Sequence, residues 1–223
     1  MSTRIDVTAD PVRDRCLLTT DHLSPRRLPS SPGVVRVALV AAGALLLAGD
    51  EVRIEVVAEG PVRVEIVETA GTVAYAMRGG AARWDVDIRL TDGASLHWYA
   101  EPFVVSAGAD VTRTTTAHLA RGCTAQLRES LVLGRYGEVG GTLRTATRAW
   151  IDDDLLLAED LDLSPETRSG WAILGAARCL DTVTTLGFRL PDTPHTLQLE
   201  GPGSVARQLV QKQHESDLIR TPV

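Results

Sequence analysis

The chain has 223 residues, 44% of them hydrophobic and 23% charged, with a formal net charge of −6, proportions that suit a globular protein able to bury a core. The negative balance excludes a sequence-independent nucleic-acid binder, which needs a basic surface. The single lysine, Lys212, leaves Schiff-base and phosphate-loop lysine chemistry no residue outside the C-terminal tail.

Residues 1–35, with SPRRLPSSPG, read as a loop-like N-terminal segment. The uncharged run Val37–Gly49 spans 13 residues, short of the about 20 a membrane helix requires, and starts too deep for a signal peptide. No membrane association is expected. A β core is expected over 36–165. In VRIEVVAEGPVRVEI, Val52, Ile54 and Val56 alternate with Arg53 and Glu55, then Val62, Val64 and Ile66 with Arg63 and Glu65. Period two means strands with one buried face. The unit recurs in WDVDIRLTDGASLHWYA and TTAHLARGCTAQLRESLVL, and its turn glycines Gly60, Gly93 and Gly122 stand 33 and 29 residues apart. These read as repeated β-hairpins, which must stack or pack sheet on sheet to bury their apolar faces.

GTLRTATRAWID and LLLAEDLDL add two more strands. Residues 166–223 form a mixed part: GWAILGAARCLDTVTTL reads as short helix, buried strand or both, and GPGSVARQLVQKQH as a helix capped by Ser204. The expectation is a single domain, 1–223. It is mainly β, of irregular β-helical or stacked-hairpin sheets with one or two short C-terminal helices.

The stretch LVLGRYGEVGG places Gly134, Gly137, Gly140 and Gly141 after an apolar run. It lacks the Gly-Lys-Ser/Thr of a phosphate loop and the βαβ setting of a dinucleotide loop. It reads instead as a long hairpin turn whose glycines supply positive φ, with Arg135 and Glu138 projecting as a surface ion pair. None of the five histidines pairs with another His or Cys at metal spacing, although His97 and His118 sit in neighbouring repeats. Cys123 falls in a turn and reads as accessible. Three cysteines without Cys-x-x-Cys spacing fit a reducing cytoplasm. Trp98, Tyr99 and Phe103 read as core packing ended at Pro102. No nucleophile elbow is present. The residues argue against a conventional enzyme and for a β-rich binding or scaffold protein.

Three stretches, in this order, resemble the urease accessory protein family UreD, also called UreH. AAGALLLAGDEVRIEV is similar to the family's glycine-rich opening that ends in an aspartate, here Asp50. LHWYAEPFVVSAGADVTRTTTAHLARG is similar to its aromatic-x-x-x-Pro stretch, with Pro102, followed by an apolar strand and threonines. LRESLVLGRYGEVGG is similar to its Leu-Gly-Arg stretch with a nearby Glu, here Arg135 and Glu138. ETAGTVAYAM lacks the basic residue the family carries near Tyr75. The resemblance implies a non-catalytic cytoplasmic scaffold that binds UreF, which recruits the GTPase UreG, and docks on apo-urease. It implies no tightly bound cofactor. Nickel(2+) would pass in transit, with Asp50 and Glu138 along its route and Gly134, Arg135, Gly137, Tyr75 and Pro102 shaping the partner-facing loops. The alternatives are a β-sandwich ligand- or carbohydrate-binding module, or an enzyme using a pair such as Glu101 and Glu138.

Overall fold

The computed structural model describes residues 1–218. Its strands are β1 (Thr3–Thr8), β2 (Arg15–Thr19), β3 (Leu23–Leu28), β4 (Val34–Ala41), β5 (Glu51–Glu59), β6 (Arg63–Glu68), β7 (Thr72–Ala74), β8 (Ala82–Thr91), β9 (Ser95–Tyr99), β10 (Phe103–Val105), β11 (Asp110–Leu119), β12 (Thr124–Leu133), β13 (Thr142–Ile151), β14 (Asp154–Asp162), β15 (Cys179–Leu186), β16 (Thr196–Gln198) and β17 (Gly203–Val210). A short helix, α1 (Pro165–Arg168), and a 3-10 turn at Gln213–Glu215 complete the elements. The first sheet is ordered β14-β13-β11-β8-β5-β1-β2. The second is ordered β16-β17-β15-β12-β9-β6-β4-β3, with β10 and β7 beside β12.

The repeated units are not hairpins. β5, β8, β11 and β13 pair parallel with one another in the first sheet, while β4, β6, β9 and β12 pair parallel in the second. Gly60, Gly93 and Gly122 therefore carry the chain from sheet to sheet, and the spacing between them is one turn of a coil. Their φ values of 86°, 83° and 87° lie where glycine alone is at ease. Alternation tells which face of a strand is buried, but it is the same for a hairpin and for a coil. The expected stacking stands, and its winding form is the one found.

Parallel in-register pairing aligns inward side chains into rungs. Ile5, Val56, Ile88, Ala117 and Ala149 are successive partners across the first sheet, and all are buried. Each large member of such a rung stabilises by about 1.5–3 kcal/mol on burial. Antiparallel strands flank the coil: β2 on β1 and β3 on β4 at one end, β14 on β13 and β15, β17 and β16 beyond β12 at the other.

Two expected segments differ. Residues 1–35 are not loop-like, because β1 buries Thr3, Ile5 and Val7 and docks parallel on β5. Pro25 sits within β3, an edge strand that tolerates a missing donor. GPGSVARQLV is not a helix but β17, paired on both sides. Val205 and Leu209 suit period two as well as a helical stripe. The Ser204 hydroxyl donates to Gln198 Oε1 at 2.6 Å and accepts the Leu190 amide at 2.9 Å, so it caps nothing. The helical elements are α1 and the Gln213–Glu215 turn instead.

Ile88→Ala, in the middle of a rung, is expected to cost about 2–5 kcal/mol. Thr114→Ala, on the outward face of β11, should stay within about 0.5 kcal/mol. Urea unfolding of both variants checks this, and equal losses would contradict the two-sheet coil.

Candidate functional site

The glycine-rich loop lies between β12 in the second sheet and β13 in the first, so it is a crossing of the coil and not a hairpin turn. Its glycines divide the work. Gly134 and Gly137 have φ of 93° and 78°. Gly140 and Gly141 have no room for a Cβ: at Gly140 it would meet the Gly134 nitrogen at 2.5 Å, and at Gly141 it would collide with the Ala109 backbone.

Charged side chains tie this loop down. Arg135 Nη2 donates to Glu138 Oε1 at 2.6 Å, and Glu138 Oε2 accepts the Ala107 amide at 3.2 Å and the Arg135 amide at 3.3 Å. The Arg135 guanidinium, followed by the Ala107 amide, pulls the Glu138 carboxyl down to about 2. From the segment after β14, Arg168 donates to the carbonyls of Gly141 at 2.7 Å and Gly140 at 2.8 Å. Arg178 donates to those of Arg135 and Glu138, each at 2.8 Å. The expected Arg135–Glu138 pair is present; the two arginine clamps carry no local sequence signal.

The other crossings at this edge stack beside it. Asp50 Oδ2 accepts the Leu47 amide at 2.9 Å, closing the turn into β5. Tyr75 N–H donates to Leu46 O at 3.2 Å, Thr72 N–H to Pro102 O at 3.0 Å, Met77 N–H to Gly108 O at 2.8 Å and Gly141 N–H to Ser106 O at 3.0 Å. These bonds link four consecutive crossings into one surface. Asp50 stands on the first and Glu138 on the last, with two crossings between them. Tyr75 and Tyr136, on these crossings, expose 43% and 103% of their surface, and Trp171, in the segment between Arg168 and Arg178, exposes 94%. Trp98 and Phe103 are buried as expected. His97 and His118 belong to different sheets; His118 stacks on Trp150 at 4.5 Å. Cys123 is buried, not accessible.

Between the sheets, the aliphatic interior turns polar toward the last turns of the coil. Arg113 on β11 replaces the apolar partners of its rung, lies 5.1 Å over the Phe103 ring, and pairs with Glu129 on β12. Burial lowers its pKa to about 10. Arg113, Glu129, Thr115, Thr147 and Thr184 line a cavity of about 50 Å³. Farther along, Arg207 on β17 meets both oxygens of Glu159 on β14, at 3.0 and 2.8 Å. Glu68, at the end of β6, points inward. Burial pushes its carboxyl up to about 7, against the pull of Arg113 and of the Trp98 and Glu101 N–H groups. The sequence did not single out Arg113, Glu68 or Glu129, because the middles of β11 (TRTTT) and β12 (RES) are polar on both faces and Glu68 is the last residue of its strand. Among the described residues no three His, Cys, Asp or Glu side chains are grouped to hold a metal ion, and no helix is long and apolar enough to cross a membrane.

The profile of a family described as UreD urease accessory protein matches residues 15–216. Urease accessory protein UreD 1 of Streptomyces griseus subsp. griseus is 45% identical over 190 residues, spanning 84% of this chain and 74% of that protein. Urease accessory protein UreD of Frankia casuarinae is 35% identical, spanning 80% of this chain and 59% of its own length. The UreD of Streptomyces coelicolor is 35% identical, spanning 67% and 59%. This chain therefore covers less than two thirds of the last two relatives.

Two pH effects follow. Glu138 has a depressed folded pKa, so its contribution is present above about 4.5 and lost as pH falls through about 2. Amide exchange at Ala107 should stay protected to pH 3, and Glu138→Gln should remove that protection at pH 6. Glu68 has a raised folded pKa, so the neutral form is favoured and stability falls as pH rises from about 4.5 through about 7. Melting curves should show Glu68→Gln gaining on the unaltered chain between pH 5 and 8. A constant difference would contradict the buried setting.

Proposed function

The chain belongs to the UreD family of urease accessory proteins, and we propose that it serves urease maturation in the cytoplasm as a scaffold that binds UreF, and through it UreG, and docks on apo-urease. It is an accessory protein, not a catalyst. The observation that carries the docking role is the ordered edge of stacked crossings. Of the exposed aromatic side chains among the described residues, Tyr75 and Tyr136 lie on it, and Trp171 stands in the segment that Arg168 and Arg178 tie to it. Aromatic residues are enriched at the centres of protein interfaces, and a loop already held by Arg135–Glu138, Arg168 and Arg178 loses little freedom on binding. Gly134, Gly137 and Pro102 shape the same edge.

Nickel(2+) is then cargo. Asp50 engages only Oδ2 among the described residues and is the carboxylate free to meet a passing ion. Both oxygens of Glu138 are engaged, so it acts by shaping the loop that presents the route. Inside, the carboxylates of Glu129 and Glu159 are each matched by an arginine, a setting that holds a cation weakly and so lets it leave.

The test is urease activation in nickel medium by the other accessory proteins, with and without this chain. Activity and bound nickel are expected only with it. Tyr136→Ala with Trp171→Ala should keep the fold and lower activation at least tenfold through loss of partner capture. Asp50→Ala should lower nickel loading with partner binding kept. Equal activation without the chain would overturn the reading.

A further inference from the structure

Between the crossing that leads into β5 and the one that leads into β7, the same edge holds a cavity of about 170 Å³. Leu23, Leu39, Leu45 and Val73 form its walls, Tyr75 stands half exposed at its rim, and Trp84 and Glu68 line its inner end. Glu68 Oε1 accepts the Trp98 indole N–H at 3.1 Å, and Oε2 accepts the Glu101 amide at 3.1 Å. Both donors are neutral. The charged groups that act on Glu68 are Arg113 from β11 and Glu101 after β9. Arg113 is shared: it pairs with Glu129, and Glu68 is the charge that supports it against burial, while Glu101 repels. Two inward carboxylates thus share one guanidinium, and Glu68, at the end of a partly apolar cavity, has no cation to itself.

We propose that this cavity binds an unbranched primary ammonium group, and that its occupant is a lysine side chain presented by a partner protein. Each Glu68 oxygen keeps a lone pair for an ammonium N–H. Leucine and valine walls match the methylene stem that lysine buries beneath its charge. The rings of Tyr75 and Trp84 supply aromatic surface to a cation. Size favours the same ligand: at about 30 Å³ per water, the cavity has room for roughly five or six heavy atoms, and a lysine side chain has five beyond Cα. The proposal does not rest on the role in urease maturation, because binding is read on the full chain alone.

Binding must draw Glu68 into its charged form, so affinity rises with pH near neutrality. Titration of the chain with n-butylammonium, followed by calorimetry and by Trp84 fluorescence or NMR, should show saturable binding that tightens about tenfold from pH 6 to 8. n-Butanol should bind far more weakly. Glu68→Gln should weaken binding at least tenfold and flatten the pH dependence, and Val73→Phe, which fills the cavity from its wall, should weaken it with Glu68 intact. A capped Gly-Lys-Gly peptide should compete, and its Nε-acetylated form should not. Equal binding of butanol and butylammonium, or an unchanged affinity in folded Glu68→Gln, would overturn the site. Binding of the free amine without the lysine peptide would overturn the proposed occupant.

Discussion

Parallel, in-register pairing between successive turns is the constraint from which the rest of the molecule follows. It places each residue above the one in the same position of the previous turn, so a rung has to be of one chemistry or find a reason to change. Ile5, Val56, Ile88, Ala117 and Ala149 obey this along the first sheet. The rung of Val52 and Trp84 breaks at Arg113. An inward charge is tolerated there because Glu129 reaches it from the opposite sheet and the Phe103 ring lies beneath it. The price of that break is a desolvated guanidinium, visible in its lowered pKa.

The same winding separates the two edges of the coil. At one edge, tight turns at Gly60, Gly93 and Gly122 only reverse the chain. At the other, longer crossings accumulate, and each rests on its neighbour through main-chain hydrogen bonds. The C-terminal segment returns to this second edge with Arg168 and Arg178, whose guanidinium groups satisfy loop carbonyls that would otherwise need water. Rigid loops, exposed aromatic rings and a carboxylate-ended cavity therefore share one side of the protein.

Much of this was legible in the residues, and the parts that were not have physical reasons. Val52, Ile54 and Val56 against Arg53 and Glu55 announce a half-buried strand. Arg135 and Glu138, three apart in a turn, announce their ion pair. Alternation does not name a strand's neighbour, so the turns of the coil read as hairpins. In β1 the signal is only Thr3, Ile5 and Val7, and Pro11 follows within a few residues. In β17, Val205 and Leu209 fit two periods at once, and only the pairing with β15 decides between them. Arg113 was hidden because the middle of the strand, TRTTT, is polar on both faces, so the inward side marked by Val111, Ala117 and Leu119 is interrupted there. The arginine clamps are contacts between residues more than 25 positions apart, beyond the reach of any local pattern.

The antiparallel strands at the two ends of the coil have a consequence for growth. A further turn would have to enter running the same way as β5 and β8, yet β2 and β14 present edges running the opposite way. The in-register rungs therefore stop at β1 and β13 among the described residues, and the strand that closes each end breaks the repeat rather than extending it.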